Sequence, residues 1–270
     1  HSNYQLDDAG LEKDTEEVVF AWFDHILHGK TKPELLKDKV NYQLMGSNQW
    51  RHAKSYSGLN AQSRTFHLAS VATPDNHYAL LNKPEANLEF VAQTVDMADR
   101  TSEHNRTPWQ VIQDQLNEPN GLIFMTEVFE QPRELAGAIT GHFSIAVNKK
   151  DVDIGYNFYE IDENGRAFHL NTYRSRASFA KDMSKRQLLT PNEKTIVPVV
   201  NARMTAKLIN KGSRLAIVLN VNKNRDAQVN MGSGKPVNDE TIDDAGEKLT
   251  IKWFNDTKIN IPLKPWHSAR

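Results

Sequence analysis

From Val40 onward the chain alternates short apolar runs with turn residues, at roughly ten-residue intervals. Runs of that length are too short for helices, and their number predicts a mostly β protein built as a sandwich or barrel. Strands are expected over 40–45, 65–68, 78–81, 88–95, 122–126, 134–148, 152–161, 167–178, 195–200, 204–209, 214–221, 249–254 and 258–261. Pro262 is expected to close the last one, because proline cannot donate to a ladder. Asp162-Glu163-Asn164-Gly165 reads as a hairpin turn whose Asn-Gly pair supplies the positive φ of a tight reversal, and 148–151 reads as a second reversal. The polar segments 82–87 and 99–119, with Pro84, Pro108 and Pro119, are expected to be loops, with one helical turn around 109–116.

One strong helix precedes this β region. Val18/Val19, Trp22/Phe23 and Ile26/Leu27 recur at the spacing of a single helical face. Asp14 followed by Glu17 reads as a capping box and Gly29 as the stop. A second short helical piece is expected over 33–36, with Pro33 in its first turn. Phe20, Trp22 and Phe23 give the first helix so much apolar surface that it needs something to lie on: the sandwich itself or a second copy in a homodimer.

Chemistry-bearing motifs are few. A formal net charge of −1 over 270 residues lacks the basic excess of a general nucleic-acid binder. Cysteine is absent, which removes disulfides and thiolate chemistry, and no run approaches the roughly 20 apolar residues of a membrane-spanning helix. Gly141-His142-Phe143-Ser144 lacks the spacing of a nucleophile elbow, so Ser144 reads as a strand residue. Gly232-Ser233-Gly234-Lys235 lacks the earlier glycine of a phosphate-binding loop and runs into Pro236. His25 and His28 have ligand-like spacing but flank an apolar stripe with no Glu in register, and read as ordinary histidines. Asp239, Glu240, Asp243 and Asp244 do not follow an EF-hand pattern and read as a solvated loop or a helix N-terminus. Arg174, Arg176, Lys181, Lys185 and Arg186 read as a solvated or ion-paired face. Asn105-Arg106-Thr107 and Asn255-Asp256-Thr257 match the glycosylation pattern, which matters only in a eukaryotic secretory setting. The residues by themselves supply no catalytic, metal or cofactor site.

Several segments, in order, resemble the family of cocaine esterase and bacterial X-Pro dipeptidyl-peptidases. The stretch from Phe20 to Gly29 resembles the last helix of their catalytic domain. The stretch from Val40 to Arg51, with Met45-Gly46 and Trp50-Arg51, resembles the opening strand of their C-terminal domain. Leu122 to Thr126, Glu134 to Gly137, Asp151-Val152-Asp153, Tyr159 to Arg166, Gly212 to Leu215 and Asn230 to Gly234 are similar to successive sandwich segments, and Asp239 to Gly246 to an acyl-esterase branch.

The resemblance implies a jelly-roll sandwich of the galactose-binding-like type over 39–270. It also implies that 1–38 is a helical remnant of an α/β-hydrolase domain. In that family a Ser-His-Asp triad hydrolyses esters or X-Pro amides, so the nucleophile is expected on the missing catalytic domain, which becomes this chain's partner. The implied source is bacterial, with periplasm or secretion favoured over cytoplasm. Tyr4-Gln5-Leu6-Asp7 resembles a segment that follows the family histidine by about a dozen residues, so His1 is read as a tag remnant. The expected role is a non-catalytic domain that braces the catalytic half and shapes substrate access. The competing role is a carbohydrate-binding module with Trp50 and Trp109 as platforms.

Overall fold

The computed structural model describes residues 15–47 and 49–267. His1 and the cap at Asp14 lie outside the described residues. Helix α1 (Thr15–His28) ends where expected, at Gly29 with φ +66. The strands, in chain order, begin with β1 (Val40–Leu44), β2 (Gln49–Ala53), β3 (Ser63–Ala72), β4 (Tyr78–Leu81), β5 (Phe90–Val95) and β6 (Ile112–Gln113). Next come β7 (Leu122–Met125), β8 (Arg133–Gly137), β9 (Thr140–Val147), β10 (Asp153–Ile161) and β11 (Ala167–Arg176). The last are β12 (Thr195–Val199), β13 (Thr205–Ile209), β14 (Arg214–Val221), β15 (Leu249–Phe254) and β16 (Lys258–Pro265).

Most of these strands form two facing layers; β1 and β2 pair with each other as a separate sheet, and β8 pairs with β13 and with the end of β16. In one layer, β9 pairs with β12 on one side and with β15 and then β16 on the other, while β5 extends beyond β15. The other layer runs β3-β4-β7-β14-β10-β11-β6, antiparallel except for β4 with β7. Strand β3 belongs to both: residues 63–66 pair with β16, and His67, Leu68 and Ala72 pair with β4. It closes one side of the sandwich. The opposite side, between β11 and β12, is bridged by Tyr173, whose hydroxyl donates to Pro198 O (3.4 Å) and accepts from Val200 N (3.2 Å).

The core lies between the layers. Trp253 meets Phe143 edge to face at 5.8 Å, Phe143 meets Tyr156 at 6.4 Å, and Tyr156 stacks on Tyr173 at 5.3 Å. This aromatic column crosses from β15 through β9 to β10 and β11. Gly155 explains how β10 and β11 approach so closely beside it: a Cβ there would lie 1.9 Å from Tyr173 O.

Several sequence expectations are corrected. The single strand over 134–148 is two, β8 and β9, because Gly137 (φ +137) and Gly141 (φ +127) let the chain leave β13 and join the main layer. Pro262 does not end the last strand; β16 passes through it and changes partner from β3 to β8 just beyond. Residues 109–116 carry the short strand β6 rather than a helical turn, and 33–36 form one turn, closed by Leu36 N to Pro33 O, rather than a helix. Only Gly165 has positive φ in the 162–165 hairpin; the Asp162 carboxylate, accepting from Asn164 N, Arg166 N and Arg166 Nε, does the rest.

The largest correction concerns α1. Its apolar face does not lie on the sandwich: Trp22 is 40% exposed and Phe23 47%, touching each other edge to face. Phe20, Ile26 and Leu27 are also exposed. The sandwich core is filled by its own strands.

The aromatic column makes a direct prediction. Phe143→Ala, at the junction of both layers, will lower the unfolding free energy by about 3–5 kcal/mol, read from denaturant titration. A loss below about 1 kcal/mol would mean that the layers are held together elsewhere.

Candidate functional site

The motifs singled out in the sequence turn out to be committed largely to one another. Asp151 and Asp153 flank Val152 at the start of β10. Asp151 is fully buried and accepts from Ser178 N (3.0 Å), Ser178 Oγ (2.8 Å) and Arg186 Nη2 (3.1 Å). Asp153 takes both Arg176 Nε (2.7 Å) and Nη2 (2.9 Å), and also Asn230 Nδ2 (2.9 Å). The basic cluster is therefore partly an internal ion-pair network, in which Arg176 and Arg186 are neutralised by these two carboxylates.

The glycine loop and the acidic loop likewise join. Glu240 accepts from Met231 N (2.7 Å), Ser233 N (2.9 Å) and Ser233 Oγ (2.6 Å). Lys235, the residue a phosphate loop would aim at its ligand, instead pairs with Asp244 at 2.6 Å. Asp244 also closes a capping box with Thr241. On α1, His28 Nδ1 pairs with Asp24 (2.9 Å), and His25 Nδ1 lies 2.7 Å from Lys30 O. Among the described residues no group of three or more His, Asp or Glu side chains is arranged to hold a metal ion. Ser144 is a buried strand residue on β9, as expected.

Both glycosylation-pattern asparagines are buried. Asn255 sits in the break between β15 and β16, where its amide oxygen accepts from Glu89 N and its nitrogen donates to Glu85 and Asn87 O. Asn105 lies within the 99–119 loop and adopts φ +54.

That loop is pinned by Lys223. Its ammonium, nearly buried, donates to Asp96 O (2.9 Å), Asp99 O (2.6 Å) and Ser102 Oγ (2.9 Å). Further along, Tyr159 OH (2.6 Å) and Asn157 Nδ2 (2.7 Å) both donate to Glu118 Oε1. Thr172 Oγ1 donates to Asn157 Oδ1 (2.7 Å), so it accepts from His169 Nε2 at 3.0 Å, and the Nε2-protonated tautomer follows. Burial raises the Glu118 carboxyl above its ordinary range against those two donors, and burial pushes His169 down to about 4.

Two members of this relay, His169 and Thr172, line a groove of about 1220 Å³ along β11. Thr107 to Trp109 and Val111 run beside β11, tied to it by His169 N to Val111 O and by Arg174 to Thr107, and Phe179, Met183, Val200, Arg203 and Met204 complete the lining. Trp109, at the rim, is 89% exposed. Trp50 is half-buried on β2 and does not line the groove, so the two tryptophans proposed as platforms do not share a surface. The groove was not legible in the sequence, because it depends on which strands find partners.

Comparisons with known proteins agree with this architecture. The sequence signature of the "X-Pro dipeptidyl-peptidase C-terminal non-catalytic domain" matches residues 36–251. Among solved structures, an aminopeptidase from a marine sediment Thaumarchaeota archaeon superposes with TM-score 0.72 at 15% identity, over 91% of this chain and 43% of its own. An α-amino acid ester hydrolase gives 0.72 at 17% identity, over 91% and 44%. A CocE/NonD family hydrolase from Staphylococcus aureus gives 0.64 at 15%, over 94% and 47%. This chain thus spans less than half the length of each. No curated protein matches it.

Two predictions follow from these networks. Asp151→Ala leaves Arg186 without its carboxylate and Ser178 without its acceptor, and will cost about 3–5 kcal/mol of stability. An unchanged urea midpoint would exclude the clamp. The second concerns pH. His169 is neutral in the fold, whereas the unfolded chain takes up a proton near its ordinary value of 6.5. Its contribution is therefore present above pH 6.5 and lost as pH falls towards 4, by at most about 1.4 kcal/mol per pH unit. Burial lowers His67, His104 and His142 with the same sign. Glu118 acts oppositely, losing stability as pH rises past its ordinary value. The measurement is accordingly a difference: His169→Gln will show a shallower stability loss between pH 6.5 and 4.5 than the unmodified chain.

Proposed function

Because the chain belongs to the family of X-Pro dipeptidyl-peptidase C-terminal non-catalytic domains, we propose that it serves as the accessory sandwich of a serine hydrolase that acts on esters or X-Pro peptides. The observation that carries the docking part of this reading is α1: an apolar helix face left uncovered on a sandwich whose core is already complete. The matched structures are about twice as long as this chain, so a parent of similar length has a second body available to cover that face. In this reading residues 1–38 belong structurally to the catalytic half. The sandwich over 39–270 braces that half and contributes a wall of the substrate entrance. The triad, the oxyanion donors and the acyl-enzyme belong to the other half.

A galactose-binding-like sandwich acting as a carbohydrate module is the weaker reading. Stacking platforms usually work in sets, and only Trp109 stands free beside the groove.

The parent and the isolated chain separate these readings. With p-nitrophenyl ester and X-Pro p-nitroanilide substrates, the isolated chain will show no turnover and the parent will show turnover that a serine-directed inhibitor abolishes. Trp22→Ala/Phe23→Ala in the parent will lower its melting temperature, while the same change in the isolated chain will leave melting unaltered. Inhibitor-sensitive hydrolysis by the isolated chain, or equal effects of the double substitution on both proteins, would overturn the accessory-domain reading.

A further inference from the structure

The groove along β11 has a composition that indicates what fills it. Among the described residues, β6 is the only strand on the outer side of β11, and it pairs only with Ala167 and Phe168. Residues 170–176 therefore present an unpaired strand edge roughly 23 Å long. Natural sheets cover, bulge or charge such an edge, because an open one recruits other strands. Here the surroundings are apolar: Trp109 (89% exposed), Met183 (63% exposed), Phe179, Val200 and Met204.

The charges in the groove have one sign. None of its lining residues is Asp or Glu. Arg176 is neutralised by Asp153. Arg174 donates only to neutral oxygens, Asn105 O (2.9 Å) and Thr107 Oγ1 (3.2 Å), and Arg203, which is exposed, pairs with no carboxylate among the described residues. At about 1220 Å³ the groove also exceeds the roughly 300–1,000 Å³ of ordinary small-molecule pockets and suits an extended segment better.

We propose that an extended, acidic segment of the parent's other half seats in this groove as an added strand on β11. Its backbone would pair with 170–176, its apolar side chains would cover Trp109 and Met183, and its carboxylates would meet Arg174 and Arg203. The inference rests on the accessory-domain reading and names a second docking surface, separate from α1. It assigns to the groove a partner chemistry, anionic and β-extended, that the apolar helix face does not specify.

Hydroxyl-radical footprinting with mass spectrometry tests it, comparing the isolated chain with the full parent. Oxidation of Trp109 and Met183 is expected to fall by at least about tenfold in the parent. Arg203→Glu, a change at an exposed residue without an ion pair, is expected to restore Trp109 labelling in the parent while Trp22 stays protected. If Trp109 and Met183 label equally in both proteins while Trp22 is protected only in the parent, the groove proposal fails and the α1 docking stands. If all three label equally in both, the accessory-domain reading fails with it. Protection that instead grows with concentration of the isolated chain would assign the groove to a second copy and overturn the proposal.

Discussion

Two carboxylates at the head of β10 hold much of the surrounding structure in place. A buried carboxylate is costly unless it is fully hydrogen-bonded and paired. Asp151 and Asp153 meet that demand by drawing in groups from separate stretches of chain: Ser178 and Arg186 from the loop after β11, Arg176 from β11 itself, and Asn230 from the loop after β14. Each partner is thereby fixed in direction as well as position. Asn230 in turn accepts from Gly232 N, and Glu240 gathers Met231 and Ser233 on the same loop. The glycine-rich stretch thus follows from a carboxylate a long way off in sequence. A charge with exacting requirements specifies a whole end of the sandwich, which apolar packing alone, being non-directional, would leave loose.

The strand rhythm was readable because apolar alternation and turn chemistry are local. Gly29, Gly165 and the central strands around Val152–Ile161 and Arg214–Val221 carry their signals within a few residues. The split at Gly137–Gly141 was not readable: an apolar run interrupted by glycines looks continuous until one knows that β8 and β9 answer to different partners. Pro262 misled for the same reason, since its missing donor matters only if a partner strand needs it. Of the site, the Asp151-Val152-Asp153 motif was visible as a pattern, but its role depends on Arg176 and Arg186 returning to it in space. Lys223 was invisible: nothing around it signals an ammonium buried among the carbonyls of Asp96 and Asp99. The groove was invisible too, because a free edge is a property of topology.

The molecule therefore combines a finished interior with two unfinished surfaces of different character. The face of α1 is apolar and curved, and suits non-directional burial against another hydrophobic layer. The edge of β11 is polar along its backbone and flanked by arginines, and suits a directional partner. A domain that only needed to be stable would have no reason to keep either. Both surfaces stand apart from the packed core that runs from Trp253 to Tyr173.

The placement of β16 has a consequence for how such a protein comes into being. This strand lies inside its sheet, between β3 and β9, and its end also pairs with β8. β15, just before it, joins β5 to β9. Strands made early in translation thus wait for residues 249–265 before the first layer can exist. Until then β3, β5 and β9 emerge from the ribosome with unsatisfied edges, and the closing event joins residues nearly 200 positions apart, as in Ile259 with Phe66. Such non-local closure is slow and leaves a long interval exposed to mispairing. A chain halted before residue 249 would lack the two strands that join β3, β5 and β9.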